Sequence, residues 1–194
     1  MLTRSFYQNP TLDVAKNLLG KTLIRQTNNH CYVARIIETE AYIGKDDSAC
    51  HASKGLTPRT QVMFGEAGCA YIYFVYGMHY MFNIVTEAKD YPAAVLIRAI
   101  EPLENIEKMI INRKGQNRNI GNGPAKLCQA LEIDKSLNGL DLTKGQALWL
   151  EDADCVNPQN IVARPRIGID YADKRDREAL WRFYIKTNRH ISKH

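Results

Sequence analysis

Residues 70–86 read Ala-Tyr-Ile-Tyr-Phe-Val-Tyr-Gly-Met-His-Tyr-Met-Phe-Asn-Ile-Val-Thr. Two runs rich in aromatic and β-branched residues, Ala70–Tyr76 and Tyr80–Thr86, flank the short segment Gly77-Met78-His79. A glycine between two such runs is typical of a tight turn. The pattern therefore predicts an antiparallel β-hairpin.

On either side of this hairpin, most predicted strands adjoin other strands rather than alternating with helices. The other predicted strands are Thr22–Arg25, Tyr32–Glu40, Val95–Ile100, Leu148–Leu150, Arg166–Ile169 and Trp181–Lys186, and the predicted helices are Thr11–Leu19, Leu103–Arg113 and Pro124–Leu131. Successive strands favour antiparallel pairing. We expect an α+β fold, a single mixed domain with a curved, open-barrel-like antiparallel sheet flanked by helices.

Length and composition agree with one globular domain. The chain has 194 residues, of which 45% are hydrophobic and 24% charged, which is enough for a core without a disulfide or metal. No run approaches the roughly 18 apolar residues of a membrane span. The five cysteines are widely spaced and never form Cys-x-x-Cys, so neither a disulfide framework nor a zinc site is predicted. We expect a cytoplasmic protein, nucleoid-associated in a bacterium or nuclear in a eukaryote, with no membrane partner.

The basic charge is concentrated at the end of the chain. Residues 164–194 contain nine basic and four acidic side chains, an excess equal to the net charge of +5 of the whole chain. If this segment packs as one face, it forms a basic patch suited to a polyanion. An ordinary solvated surface explains the same charges.

Two carboxylates lie at the end of an apolar strand, in Glu38-Thr39-Glu40. Alternation places Glu38 and Glu40 on the same side of the strand, where one of them could act as a general base toward water. A strand end held by salt bridges is the alternative interpretation.

Aromatic residues are concentrated around the hairpin. Alternation places Tyr71 and Tyr73 on one face and Phe74 and Tyr76 on the other, which suits a platform that stacks on a planar ring or nucleobase. A sheet that is half core and half exposed explains the pattern as well. The bulky residues at the tip, Tyr76 to Tyr80, have the shape of a wedge that enters between base steps.

Longer segments of the sequence resemble the alkyladenine (3-methyladenine) DNA glycosylase family. The resemblance runs in order, with family-like spacing, from about residue 10 to Tyr184, and such collinear similarity is more specific than any single motif. The matching segments are Ile36–Gly44, Cys50–Ser53, Thr57–Arg59, Met63-Phe64, Tyr71–Met78, Asn83-Ile84, Val95–Leu103, Gly123–Leu131, Arg166–Ile169 and Trp181–Tyr184.

The resemblance implies a monofunctional DNA glycosylase of base excision repair. Such an enzyme flips alkylated or deaminated purines (3-methyladenine, 7-methylguanine, hypoxanthine, ethenoadenine) out of duplex DNA and hydrolyses the N-glycosidic bond with an activated water. The product is an abasic site. We expect a monomer that acts on damaged double-stranded DNA without a metal or organic cofactor.

The family's functional residues have counterparts at matching positions of this chain. Glu40 matches the general base, and Arg98 matches a basic residue that helps to hold the nucleophilic water. Tyr42, His51 and Tyr73 match the residues that sandwich the flipped base.

The remaining counterparts contact the DNA or select the base. Tyr76 matches the tyrosine that intercalates into the duplex, with Met78 and His79 beside it in the minor groove. Asn83 matches the side chain that excludes guanine by crowding its 2-amino group. His79 is a departure, because the family usually has tyrosine there.

Three other classes of function compete with this interpretation. A non-catalytic nucleic-acid-binding module would keep the wedge and the basic segment but would not need Glu40. A carbohydrate hydrolase needs a second carboxylate across the substrate, and Glu38 is too near Glu40 in the chain. A glycosylase-lyase needs an amine nucleophile, and the segments Glu40–Tyr42 and Tyr71–Asn83 contain no lysine.

Overall fold

The sheet is organised around one 13-residue strand, Cys31–Ile43. The computed structural model describes residues 1–192. Its strands are β1 Thr22–Gln26, β2 Cys31–Ile43, β3 Ala70–Val75, β4 His79–Thr86, β5 Ala93–Glu104, β6 Leu148–Glu151, β7 Ile161–Arg164 and β8 Arg182–Ile185. Its helices are α1 Arg4–Tyr7, α2 Thr11–Asn17, α3 Ile106–Asn112, α4 Pro124–Ala130 and α5 Lys174–Glu178, with short 3-10 turns that include His51–Lys54 and Gln61–Phe64.

Strand β2 is paired along both of its edges. One edge pairs with β5, whereas the other pairs first with β1 and then, over Glu38–Glu40, with β8. The main sheet order is β3-β4-β5-β2-β1-β6, β7 pairs with β8, and every pairing is antiparallel. Residues 36–41 of β2 have no exposed surface, so two carboxylates lie inside the protein.

Helices cover the sheet on the side away from these carboxylates. The Thr39 hydroxyl, which alternation directs opposite to its two neighbours, donates a hydrogen bond of 2.8 Å to the carbonyl of Ala15 in α2. Helix α4 packs against β4 and β5, and α3 packs against α4. The largest fully buried side chains include Tyr7, Leu18, Leu19, Leu23, Tyr32, Ile36 and Phe82. Glu38 and Glu40 consequently face the opposite side, where Ser192 and the loop that follows β7 contact them.

The predicted fold class is confirmed: the chain is a mixed α and β domain with an eight-stranded antiparallel sheet that does not close. The predicted hairpin forms, with Ala70 opposite Ile84 and Val75 opposite His79. Helix α2 begins at Thr11, directly after Pro10, and ends two residues earlier than predicted. Within residues 1–192, no helix is long and apolar enough to cross a membrane.

Two of the predicted elements are wrong in position. Residues 103 and 104, predicted to begin a helix, belong to β5, and α3 begins only after Asn105, whose positive φ of 55° ends the extended backbone. The predicted strand Arg166–Ile169 is a loop. Gly168 has a φ of +78°, which interrupts the extended backbone that a strand requires. The Ile167 amide donates to the Glu40 side chain rather than to a neighbouring strand.

The hairpin turn lies one residue earlier than predicted. It comprises Tyr76-Gly77-Met78, and the Met78 amide donates to the Val75 carbonyl at 3.1 Å. Tyr76 and Gly77 have φ values of +52° and +66°, the signs found at the two central residues of a type I′ turn. Tyr76 is therefore a turn residue rather than the last residue of a strand.

Candidate active site

A cavity of about 500 Å³ opens between the β3–β4 hairpin, the segment around His51 and the loop that follows β7. Its walls combine residues from four strands, because β2, β3, β4 and β5 are neighbours or near neighbours in the sheet. Six of the nine predicted site residues line it, namely Tyr42, His51, Tyr73, Tyr76, Asn83 and Arg98. The sheet order thus brings together residues that are far apart in the sequence.

One wall of the cavity is aromatic. The His51 and Tyr73 rings pack edge to face with centroids 4.5 Å apart, and Tyr71 and Tyr73 lie 5.4 Å apart. His51 Nδ1 and the Tyr71 hydroxyl are joined by a hydrogen bond of 2.9 Å. Burial, with the positive charges of Arg59 and Lys54, lowers the pKa of His51 to about 4. The imidazole is therefore neutral at physiological pH.

Glu40 lies directly behind the cavity wall and is fully buried. Its Oε2 accepts a hydrogen bond of 2.9 Å from the Tyr42 hydroxyl, and its Oε1 accepts one of 2.8 Å from the Ile167 amide. Arg98 Nη1 is 3.4 Å from the same Oε1. Glu40 does not itself line the cavity, but Tyr42, Arg98 and Ile167, the three residues that contact its carboxylate, all do.

Burial raises the pKa of Glu40, because removing water disfavours the charged carboxylate. Arg98 and the hydrogen bonds from Ile167 and Tyr42 act in the opposite direction without cancelling the effect of burial. Burial, reinforced by the Glu40 charge, also raises the pKa of Tyr42 well above its usual value, so its phenol remains a hydrogen-bond donor. A carboxylate with a raised pKa is a stronger base.

Glu38 and Glu40 lie on the same side of β2, as predicted, but their surroundings differ. Arg98 lies between them, with Nε 3.4 Å from Glu38 Oε1 and Nη1 3.4 Å from Glu40 Oε1. Glu38 also accepts a hydrogen bond of 2.9 Å from Arg182 of β8. The salt-bridged interpretation of the strand end thus applies to both carboxylates, through Arg98, and Glu40 in addition adjoins the cavity.

A buried ion pair beneath Tyr42 was not predicted from the sequence. Arg166 contacts both oxygens of Asp47, at 2.6 and 2.8 Å, and neither side chain has exposed surface. The guanidinium lies 4.7 Å from the Tyr42 ring centroid and 4.9 Å from that of Trp181. This pair fixes the loop that carries Ile167. The sequence pointed to Arg166 only as a member of a segment that resembles the family. Its charge was counted with the basic residues of the C-terminal segment.

The hairpin tip projects beside the cavity mouth. Tyr76 is 84% exposed and Met78 67% exposed, although both are large apolar side chains. His79 is exposed at the start of β4. Of the three residues at the tip, Tyr76 lines the cavity, whereas Met78 and His79 do not.

Asn83 is held in a fixed orientation on the cavity wall. It is 3% exposed, and its Nδ2 donates to the Tyr71 carbonyl at 3.1 Å. Since this amide group bonds to the backbone of the neighbouring strand β3, its position follows from the pairing of Tyr71 with Asn83.

A second cavity of about 400 Å³ adjoins the first and shares its wall. Arg59 and Tyr171 line both cavities, and Lys54 lines the second. The Arg59 guanidinium lies 5.1 Å from the Tyr73 ring centroid, and the Tyr171 hydroxyl donates to the Ala49 carbonyl at 3.1 Å. Neither the motifs nor the family resemblance gives a role to Arg59, Lys54 or Tyr171.

The basic C-terminal segment does not form one uniform basic face. Arg166 and Arg182 are buried in ion pairs with Asp47 and Glu38, and Arg175 pairs with Asp176. Lys193 lies outside the described residues. The exposed basic residues of this segment that remain are Arg164, Lys174, Arg177, Lys186 and Arg189. Of the two interpretations of this segment, a single basic face is wrong, and a solvated surface holds for only part of its charge. A sequence count cannot tell a solvated charge from one that is paired inside the fold.

No cluster of three or more His, Cys, Asp or Glu side chains in residues 1–192 is arranged to hold a metal ion. All five cysteines are free thiols, two of them buried. The polar groups that line the first cavity include guanidinium, phenol, amide and imidazole, and the Glu40 carboxylate lies behind them.

Comparison with known proteins assigns the chain to a family. The family model for methylpurine-DNA glycosylase matches residues 5–189. The chain belongs to the methylpurine-DNA glycosylase family. It is therefore a DNA repair enzyme, a hydrolase that acts on N-glycosyl bonds.

Full-length relatives agree with this assignment. The chain is 51% identical over 195 residues to a protein of Methanocella arvoryzae, covering 100% of this chain and 96% of the relative. It is 46% identical to one of Carboxydothermus hydrogenoformans over 100% and 99% of the two chains, and 45% identical to one of Clostridium perfringens over 99% and 98%. All three are named "Putative 3-methyladenine DNA glycosylase".

Proposed function

We propose that this glycosylase flips alkylated and deaminated purines out of double-stranded DNA and hydrolyses their N-glycosidic bonds with a water activated by Glu40. The substrates are 3-methyladenine, 7-methylguanine, hypoxanthine and ethenoadenine, and the product is an abasic site. The observation that carries this proposal is the buried Glu40 carboxylate directly behind an aromatic cavity. The enzyme acts as a monomer and needs neither a metal nor an organic cofactor.

The cavity suits a planar, electron-poor base. Tyr42, His51 and Tyr73 offer ring faces and edges to such a base, and an alkylated purine carries a positive charge that aromatic rings attract. The neutral His51 favours the same substrate, because an imidazolium would repel it. Damage is thus selected in part by charge.

Glu40 supplies the chemistry at the sugar. An N-glycosidic bond breaks through a transition state with positive charge on the sugar, which a nearby carboxylate stabilises. The same carboxylate then accepts a proton from the attacking water, and its raised pKa makes it a better base for that step. Arg98, 3.4 Å from Glu40 Oε1, helps to hold this water beside the carboxylate.

The exposed hairpin tip supports base flipping. Extruding a base costs a few kcal/mol in lost stacking and pairing, and a side chain that fills the gap offsets part of this cost. Tyr76 projects from the tip for this purpose, with Met78 and His79 beside it in the minor groove. Asn83, whose amide is fixed by the Tyr71 carbonyl, crowds the 2-amino group of guanine and so disfavours undamaged guanine. 7-Methylguanine keeps this amino group and is accepted because its cationic ring leaves more readily.

Two features favour a monofunctional enzyme over the competing classes. No lysine lines the first cavity, so the amine that a lyase step requires is missing from its walls in the described chain. The Glu38 oxygens are engaged by Arg182, Arg98 and Ser192. Glu38 is thus unavailable as the second carboxylate of a carbohydrate hydrolase.

The test is product analysis with three duplexes, one methylated, one carrying a single hypoxanthine and one undamaged. The wild-type protein should release free base from the first two only. The DNA strand should stay intact until alkali cleaves it at the abasic site. Absence of release from both damaged duplexes, with binding retained, would favour a non-catalytic binding module. Strand cleavage without alkali would contradict a monofunctional enzyme.

A further inference from the structure

A buried polar network connects the end of the described chain to the active site. Its centre is Glu38, which has no exposed surface. Glu38 Oε1 accepts hydrogen bonds from Arg182 Nη1 at 2.9 Å and from the Ser192 hydroxyl at 2.8 Å, and Oε2 accepts one from the Ser192 amide at 2.7 Å. Ser192 itself is only 7% exposed.

The Ser192 hydroxyl also contacts Arg98. Arg98 Nε donates to Ser192 Oγ at 3.1 Å, which is shorter than the 3.4 Å between the same Nε and Glu38 Oε1. A serine hydroxyl has one proton, and here it is directed to Glu38 while the oxygen accepts from Arg98. The Ser192 hydroxyl therefore links the two charged groups.

This link fixes the orientation of a catalytic side chain. A guanidinium is planar and its donors diverge at fixed angles, so holding Nε determines where the terminal nitrogens point. In Arg98, Nη1 lies 3.4 Å from Glu40 Oε1. The geometry at Glu40 thus depends on an acceptor that lies 94 residues later in the chain than Arg98.

We propose that Ser192 is a positioning residue of this glycosylase, whose hydroxyl, braced by Glu38, holds Arg98 against the general base Glu40. The inference rests on the proposed function, because it assumes that Glu40 and Arg98 act on the substrate. It extends the active site to a segment outside the sheet that no family-like motif in this sequence includes.

Removing the Ser192 hydroxyl should act on Glu40 through the two charged groups that this hydroxyl contacts, Arg98 and Glu38. The other groups that face Glu40 are the Tyr42 hydroxyl, the Ile167 amide and the charge of Glu38, with Arg166, Arg182 and Tyr73 farther away. None of these except Glu38 contacts Ser192. Because Arg98 lowers the pKa of Glu40 against the effect of burial, a less well-held guanidinium lets that pKa rise further.

The experiment compares four proteins, namely wild type, Ser192→Ala, Ser192→Thr and Asn188→Ala, in single-turnover base release across pH. Asn188 is a matched control, because it belongs to the same segment but donates to Glu101 Oε2 at 3.1 Å, away from Glu40. Lesion-DNA affinity and thermal unfolding are measured in parallel.

Ser192→Ala should lower the single-turnover rate about tenfold, the loss expected for one hydrogen bond to a charged group. The acidic limb of its pH profile should move to higher pH, while affinity for DNA stays unchanged. Ser192→Thr, which keeps the hydroxyl, should restore the rate, and Asn188→Ala should match wild type.

Each contrary result has a distinct meaning. A wild-type rate and pH profile in Ser192→Ala would overturn the positioning role while leaving the proposed function intact. An equal pH shift in Asn188→Ala would also overturn it. The shift would then follow from loosening the C-terminal segment as a whole rather than from loss of the Ser192 hydroxyl. No base release by the wild type would reject the proposed function, and this inference with it.

Discussion

Tyr76 occupies a backbone conformation that a tyrosine tolerates poorly. Its φ is +52°, a region in which the Cβ of an L-residue approaches the following carbonyl oxygen at a cost of about 1–2 kcal/mol. The side chain recovers little of this by packing, since it is 84% exposed. Strain of this kind is retained at functional sites, which agrees with the proposed intercalating role.

Two substitutions at Tyr76 separate strain from function. Tyr76→Gly and Tyr76→Ala both remove the wedge, so each should lower base release from a paired lesion by roughly tenfold or more. Tyr76→Gly should have the larger free energy of unfolding, by about 1 kcal/mol, because only glycine relieves the strain. Single-turnover assays and denaturant unfolding check both statements. An unpaired lesion should show a smaller deficit, and an equal deficit would contradict the wedge.

His51 makes the stability of the protein depend on pH. Its pKa is about 4 in the folded chain against an ordinary value of 6.5, because burial and nearby cations disfavour the imidazolium. Between these values the unfolded chain binds the extra proton, so the free energy of unfolding increases with pH. The contribution is complete above about 6.5 and is lost as pH falls toward 4.

The variant His51→Gln isolates this contribution. Between pH 6.5 and 4, wild type should lose about 2 kcal/mol more unfolding free energy than His51→Gln, a figure reduced for partial solvent screening. Denaturant titrations at several pH values measure it. Parallel curves for the two proteins would show that His51 is not held neutral by the fold.

At the scale of elements, the loop that follows β7 depends on Asp47. Arg166 of this loop contacts both Asp47 oxygens and also donates to the Ala41 carbonyl at 2.9 Å. Its neighbour Ile167 supplies the amide that contacts Glu40. The ion pair therefore couples stability to the geometry of the proposed general base.

Asp47→Asn should lower both the free energy of unfolding and the rate of base release. Removing one partner of a buried pair leaves an uncompensated charge and typically costs about 3–5 kcal/mol. Asp46→Asn is the matched control, because the Asp46 side chain is exposed and should lose little. Thermal unfolding and base release of both variants are the measurements. Equal stability of the two would mean that Arg166 does not depend on Asp47.

Strands whose sequence alternates between polar and apolar residues, or contains a run of aromatic residues, could be predicted. Such patterns, and the residues that form turns, can be identified within a short stretch of sequence. The hairpin and the start of α2 followed from such patterns. Arg166–Ile169 alternates as well, yet it is a loop, because Gly168 adopts a positive φ and Arg166 is committed to Asp47, 119 residues away. Long-range ion pairs leave no local pattern in a sequence.

The residues of the candidate site could be named from the sequence, but the residues that support them could not. The resemblance named nine residues, and six of them line one cavity. Asp47, Arg166 and Ser192 were missed, because their roles arise from contacts between segments distant in the chain. A count of charges even placed Arg166 and Arg182 on the surface, although both are buried.

In the whole molecule, the proposed wedge Tyr76 and two basic side chains lie around one opening. The wedge Tyr76 and the cavity-lining Arg59 adjoin it, and Lys54 and Tyr171 line the adjacent cavity. A protein that neutralises phosphates releases counterions, so its affinity for duplex DNA should decrease steeply with salt. A flat salt response would contradict duplex DNA as the partner.

Lys54→Gln tests where the phosphates lie. If Lys54 contacts one phosphate, its replacement should reduce the slope of log affinity against log salt by about 1. Lys135→Gln is the control, since its 3-10 turn packs near the Ala70 end of β3, away from the hairpin tip. Binding isotherms at several salt concentrations provide the slopes. Equal slopes for all three proteins would place the DNA elsewhere.

Single-turnover base release from a duplex with one lesion tests whether Glu40 performs the hydrolysis. Wild type is compared with Glu40→Gln and with Glu104→Gln, an exposed glutamate at the end of β5. Glu40→Gln should reduce the rate by about 10²–10⁴-fold, the usual contribution of a general base, while lesion-DNA affinity and the rate of Glu104→Gln stay unchanged. A wild-type rate in Glu40→Gln, with DNA binding intact, would show that Glu40 is not the general base.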